Sequence, residues 1–179
     1  DRTVSRGLGD VYKRQAIAVK EISKIDNSCS VILSAHNSLA CWGIEEYGTE
    51  EQKEKYLRPL ATGQKIGGFC LSEPESGSDA TQQKTTAIDK GDHYVLNGIK
   101  NWITNGIKAE LYVVIAQSNK EKGYKGINAF VIESDSKGIS RGPKEDKLGI
   151  RSSDTSSVIF QDVIIPKENE PDLQEIPDQ

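Results

Sequence analysis

The densest run of chemistry-bearing residues is Phe69–Cys70–Leu71–Ser72–Glu73–Pro74–Glu75–Ser76–Gly77–Ser78–Asp79. Its apolar start stops at Ser72–Glu73–Pro74. Proline cannot donate to a ladder, so a strand should end there. The turn Ser76–Gly77–Ser78–Asp79 can aim backbone N–H groups and hydroxyls at one point and form an anion-receptive concavity. From residue types alone, a plain Asx or serine-rich turn is the better reading.

Two further segments carry candidates. In Asn97–Gly106, strand alternation puts Trp102 and Thr104 on one face. A tryptophan beside a hydroxyl can stack a planar ligand and hydrogen-bond its polar edge. A core tryptophan with a surface threonine is the simpler account. In Lys147–Thr155, Arg151 and Asp154 could pair at a turn before a strand. From residue types alone, a solvated loop entering an edge strand is the better reading of that segment.

Several chemistries are disfavoured. There is no G-x-G-x-x-G, no G-x-x-x-x-G-K-[ST] and no H-E-x-x-H, which argues against Rossmann, P-loop and zincin sites. A hydrolase using Ser72 or Ser78 with His93 lacks a G-x-S-x-G elbow. Cys29, Cys41 and Cys70 form no C-x-x-C pair, so reduced thiols are expected rather than a disulfide framework or a metal site. The formal net charge of -4 gives no basic excess for nucleic acid. No apolar run approaches the ~18 residues of a membrane span. Hydrophobic residues at 35% and charged residues at 28% suit a globular chain. The 179 residues contain no methionine, so a fragment is expected.

The elements that must position these groups fall into two textures. Residues 1–14 show no helical or strand period and are expected to be disordered or foreign to the protein. From Gln15 to Gly63 the periodicity is helical. One helix carries Ala16, Val19, Ile22 and Ile25. A second starts at Asn27–Ser28 and ends at Gly43. A third starts at the capping box Thr49-x-x-Gln52 and ends near Leu60, with Gly63 as its stop. Beyond Gly63 the pattern is β. Expected strands are Ile66–Ser72, Lys84–Asp89, His93–Leu96, Ile99–Thr104, Leu111–Gln117, Asn128–Ser134 and Ser157–Ile164. Turns are expected at Lys90–Asp92, Asn97–Gly98 and Asn105–Gly106. Helices followed by strands imply an α+β chain. Residues 15–64 form a helical domain, 65–166 a β domain, and 167–179 a ragged end.

These segments, in this order, resemble the acyl-CoA dehydrogenase family. The carriers are Cys70–Leu71–Ser72–Glu73–Pro74 with Gly77–Ser78–Asp79, then Gly98–Gly106, then Leu148–Thr155. The helical lead-in, including His36–Leu39 and Tyr47–Gln52, also resembles it, and the texture is closest to short-chain or butyryl-CoA members. The resemblance implies a partial helical N-terminal domain, an antiparallel β-barrel-like middle domain, and a C-terminal helical bundle missing from this chain. It implies FAD as cofactor, with Phe69, Cys70, Leu71, Ser72, Gly77, Ser78, Trp102, Ile103 and Thr104 around it. Leu71 N–H and the Ser72 hydroxyl would face the polar edge of the flavin. Trp102 would stack, and Thr104 would lie near N5. Ser78 would also touch an acyl-CoA substrate. The implied reaction is α,β-dehydrogenation of an acyl-CoA to a trans-2-enoyl-CoA, with electron-transferring flavoprotein as partner and a homotetramer as the intact assembly. The implied setting is bacterial cytoplasm, or mitochondrial matrix in a eukaryote. The catalytic glutamate would lie beyond residue 179, leaving the fragment inactive, and Glu73 would be a structural acceptor. An oxygen-using acyl-CoA oxidase and a non-catalytic acyl-CoA-binding relative are the alternatives.

Overall fold

The computed structural model describes residues 2–170, and side chains from residue 13 onward. Helix α1 (Arg2–Ser23) leads the chain. The expectation of disorder over 1–14 is therefore corrected for residues 2–14, whose backbone is helical. Gly7 and Gly9 each cost about 1 kcal/mol against alanine, but extending a formed helix needs no second nucleation.

Helix α2 (Asn27–Ala35) is capped by Asp26, one residue ahead of the expected cap, whose carboxylate accepts from the N–H groups of Ser28 and Cys29. The rod does not stop at Gly43. It runs through a π-helical segment (His36–Cys41) into α3 (Trp42–Tyr47), and Gly48 ends it. One glycine mid-rod is a modest cost when Ile44 behind it is fully buried. The third rod comprises α4 (Glu50–Gln52), a second π segment (Lys53–Leu57) and α5 (Arg58–Ala61). Its capping box forms as expected: Gln52 N–H donates to Thr49 Oγ1 at 3.3 Å, and Thr49 N–H donates to Gln52 Oε1 at 3.1 Å.

Among the described residues seven strands follow: β1 (Gly67–Cys70), β2 (Thr86–Asp89), β3 (His93–Thr104), β4 (Leu111–Gln117), β5 (Ile127–Glu133), β6 (Ile139–Arg141) and β7 (Thr155–Pro166). They form one curled sheet in the order β1-β4-β2-β3-β7-β6, with β5 on β4. Most pairings are antiparallel, but β1–β4 and β2–β4 are parallel, so the sheet is mixed. Asn97–Gly98 is not a turn. It lies inside the single long strand β3, opposite a bulge in β7 where Gln161 and Asp162 together face Asn97. There Asp162 N–H donates to Asn97 Oδ1 at 2.9 Å, and Asn97 Nδ2 donates to Asp162 Oδ1 at 3.0 Å. Two reciprocal side-chain bonds replace the ladder bonds the extra residue removes. The short β6 has no alternating run long enough to mark it in the sequence.

Strand β4 explains how two layers share one sheet. Tyr112, Val114 and Ala116 point into the curl with Cys70, Leu96, Phe130 and Phe160. Leu111 and Val113 point the other way, onto Ala40, Ile44, Tyr56 and Leu60 of the helices. Burial on both faces accounts for the unbroken apolar run 111–116. His36 pins the layers together: Gly67 N–H donates to its Nδ1 at 3.0 Å, and Nε2 lies 3.1 Å from Leu60 O. With Nδ1 accepting, Nε2 carries the proton. Gly67 permits the approach, because a Cβ there would lie 2.8 Å from that of Ala40.

The ragged end expected at 167–179 is corrected for residues 167–170. A 3₁₀ turn (Lys167–Asn169) docks on the body. Buried Asn169 accepts from Tyr56 OH at 2.8 Å, and Glu170 accepts from Tyr94 OH and Asn128 Nδ2. Residues 171–179 lie outside the described residues.

Candidate functional site

Strand β1 ends at Cys70, and the loop over 71–85 doubles back over β3. Its fixed point is an ion pair absent from the sequence-level candidates. Lys100 is fully buried. Its Nζ donates to Leu71 O at 2.9 Å, Glu73 Oε1 at 2.7 Å and Gln83 Oε1 at 3.0 Å. Three acceptors require three N–H groups, so this nitrogen is an ammonium. Its complete burial draws its pKa down, and the Glu73 charge opposes that. Glu73 also accepts from Lys84 N–H at 2.6 Å and Thr85 N–H at 3.0 Å. Burial pushes the carboxyl pKa up, but Lys100 and the N–H donors outweigh it and hold Glu73 below its ordinary 4.5. Glu73 is thus the structural acceptor its position suggested. Lys100 had a signal of its own: a lone lysine inside a β-period, on the inward phase shared with Leu96.

Beside this pair, β3 slips register a second time between Lys100 and Ile103. Trp102 sits in that bulge at φ 62° and is 63% exposed. Regular alternation, which would put Trp102 on the face of Thr104, therefore does not set its direction; the bulge does. A left-handed tryptophan costs about 1–2 kcal/mol, and its exposed ring has little burial to offset this. Asn101 N–H donates to Ser72 O at 2.8 Å, joining the bulge to the loop. Thr104 is half-buried and pairs with Thr155.

The remaining candidates divide by burial. Cys70 and Ile103 are core residues, so only their backbones are available to a ligand. Phe69 packs toward the helical layer. Leu71 and Ser72 are half-buried at the loop entrance, while Gly77 and Ser78 are exposed. Ser76 Oγ donates to Asp79 O at 2.7 Å, and Asp79 Oδ1 accepts from Thr81 N–H at 3.2 Å. The turn's own hydroxyl and carboxylate shape it, leaving Ser78 outward. Asp154 does not pair with Arg151. It accepts from the N–H groups of Ile107 and Lys108 at 2.8 and 2.9 Å, closing the turn after β3. Arg151 Nε donates to Lys147 O instead. Hence loop 71–78 and the Trp102 bulge come together, and Arg151 stays apart.

A separate apolar cavity of about 330 Å³ opens between the helices and the sheet, walled by Leu39, Trp42, Tyr47, Phe69, Ile115 and Ile127. Among the described residues no group of histidine, cysteine and carboxylate side chains could hold a metal, and no helix is long and apolar enough to cross a membrane.

Comparison with known proteins decides the family. Residues 68–163 match the acyl-CoA dehydrogenase middle domain, and residues 5–64 match the acyl-CoA dehydrogenase N-terminal domain. The chain belongs to the acyl-CoA dehydrogenase family. It is similar to the short-chain specific acyl-CoA dehydrogenase of Clostridium acetobutylicum, at 53% identity over 91% of this chain and 43% of that protein. It is similar to the structure of butyryl-CoA dehydrogenase from Megasphaera elsdenii, with a TM-score of 0.84 and 47% identity, covering 87% of this chain and 41% of that one. It also resembles an acyl-CoA dehydrogenase complexed with FAD from Bacillus anthracis, with a TM-score of 0.74 and 42% identity, covering 81% and 25%. The chain thus spans about two fifths of the curated relative's length, over the helical and curled-sheet parts of an acyl-CoA dehydrogenase. The acyl-CoA dehydrogenase framework suits a flavin on its own geometry. An exposed indole on a strained bulge offers a planar face, and the adjoining loop offers backbone and hydroxyl donors at Ser72 and Ser78.

Proposed function

We propose that this chain is the cofactor-holding part of a short-chain acyl-CoA dehydrogenase that binds FAD along Leu71–Ser78, with the Trp102 ring over the isoalloxazine. The observation that carries the proposal is the bond from Asn101 N–H to Ser72 O, which sets the exposed Trp102 against that loop. Bound FAD would supply the hydride acceptor for oxidation of an acyl-CoA to a trans-2-enoyl-CoA. Trp102 stacks and shields the ring from water. Ser72 and the Leu71 backbone present donors to its polar edge, where fixed dipoles stabilise negative charge without reorganising. Thr104, one residue past buried Ile103, brings a hydroxyl near N5. Ser78, outward and unshaped by the turn's internal bonds, is placed to meet the cofactor phosphates and the acyl-CoA chain.

Neither glutamate of the loop can serve as the α-proton acceptor. Glu73 is filled by Lys100 and two N–H groups, and Glu75 is an exposed partner of Lys84. The base is a glutamate outside this chain, supplied by the remainder of the protein. Electron-transferring flavoprotein is the acceptor and a homotetramer the assembly that go with this reading, in a cytoplasmic or mitochondrial-matrix setting.

The test is spectroscopic. The full-length protein carrying this chain should be yellow and lose its flavin absorbance when butyryl-CoA is added anaerobically. A colourless protein, or a yellow one that no acyl-CoA bleaches, rejects the proposal. Peroxide release in air, with no reduction of electron-transferring flavoprotein, would move it to the oxidases.

A further inference from the structure

The buried Lys100 has a consequence for the direction of one backbone donor. Its ammonium holds the Leu71 carbonyl oxygen at 2.9 Å, and Asn101 N–H holds the Ser72 carbonyl oxygen at 2.8 Å. Two successive peptide planes are therefore clamped to β3. No peptide bond among the described residues is cis. In a trans peptide the N–H points opposite to the preceding carbonyl. The Ser72 carbonyl points to β3, and the following N–H, that of Glu73, correspondingly turns away to Ser76 O at 2.8 Å. By the same rule, the Leu71 carbonyl points at Lys100, so the Ser72 N–H points away from the buried pair. Among the described residues it has no backbone acceptor.

The clamp is itself over-determined. Lys100 is gripped by Glu73 and Gln83 as well as Leu71, and Glu73 is gripped by Lys84 and Thr85. A simple loop anchor needs less. A buried charge pair costs desolvation and is often replaceable by apolar residues without loss of stability. Its distinctive product here is a fixed peptide orientation beside the exposed Trp102.

We propose that Lys100 is a positioning residue, which through the Leu71 carbonyl aims the Ser72 N–H at a carbonyl or ring nitrogen of the bound flavin and so tunes how strongly the site favours the reduced ring. The proposal rests on the flavin reading above and adds a residue that touches no cofactor. A donor aimed at an atom that gains negative charge stabilises the reduced form more than the oxidised form.

The experiment uses the full-length holoprotein. Lys100→Met alone strands Glu73 without its counter-charge and is expected to fold poorly. The working variant is therefore Lys100→Met with Glu73→Gln, which removes both charges and keeps an acceptor for Lys84 and Thr85. Two quantities are read: the infrared carbonyl bands of bound oxidised flavin, and the ratio of affinities for reduced over oxidised flavin. The expected result is carbonyl bands at higher wavenumber and a ratio lowered about tenfold, the scale of one charge-assisted hydrogen bond. A loop anchor with no aiming role would lower thermal stability and leave both quantities unchanged. A flavin-loaded double variant with parental bands and ratio overturns this proposal alone. A parent protein that holds no flavin overturns both it and the reading beneath it.

Discussion

Gln52 Nε2 donates to the backbone carbonyl of Glu170 at 3.0 Å and to that of Glu168 at 2.6 Å, while its Oε1 closes the capping box on Thr49. One buried amide thus starts a helix and holds the segment after the last strand. Gln52→Glu keeps the acceptor for Thr49 and replaces the donor with a charge facing two carbonyls. It should cost about 2 kcal/mol or more, against ~1 kcal/mol for Thr49→Ala. Denaturant unfolding of the two variants checks the order. Equal losses would mean that the clasp to 168–170 contributes nothing.

At Trp102 the usual ranking of small residues should invert. Alanine keeps the left-handed strain at φ 62°, whereas glycine relieves it. Trp102→Gly should be more stable than Trp102→Ala by about 1 kcal/mol, and both should lose flavin affinity. Paired thermal melts and flavin titrations measure this. An alanine variant as stable as the glycine variant would remove the strain argument.

Acid should weaken the fold through Glu73. Its carboxyl lies below 4.5 in the folded chain. The unfolded carboxyl therefore takes up its proton first as pH falls. The stability it contributes is whole above pH 4.5 and is lost progressively below. The denaturant midpoint of the parent should drop across that acid range, and the drop should be shallower in the Lys100→Met, Glu73→Gln variant. Identical pH profiles for the two proteins would assign the acid transition to other groups.

The three thiols should separate by reactivity. Burial pushes Cys41 up to about 11 and Cys70 further still. Cys29 is exposed, but the hydrogen bond and charge of Asp26 raise its pKa. Alkylation of the native protein at neutral pH should modify Cys29 alone, and slowly. Asp26→Asn, which keeps a helix cap without the charge, should speed it. Mass spectrometry of native and denatured samples reads all three sites. Native labelling of Cys70 would contradict its place in the sheet interior.

Much of this architecture was legible because it depends on neighbours in sequence. The capping box at Thr49, the hairpin at Lys90–Asp92 and the bounds of β4 follow from local hydrogen-bonding rules and periodicity. The order of the three motifs was enough to place the family. The misses share one cause. Asn97–Gly98 carries the residues of a tight turn, yet Asp162, 65 residues away in a bulge of β7, bonds it into a continuous strand. Gly43 resembles a helix stop, but burial of Ile44 against the sheet carries the rod onward.

By itself the sequence determined where β4 begins and ends, which loop carries hydroxyls and glycines, and that a tryptophan lies close downstream. Only the tertiary structure decided that Lys100 reaches back to Leu71 and Glu73, and that Trp102 stands outward on a bulge beside Ser72. The reason is that a buried charge must find its partners wherever the fold places them. A bulge, likewise, is set by the strand opposite. Neither condition is written in the residues on either side.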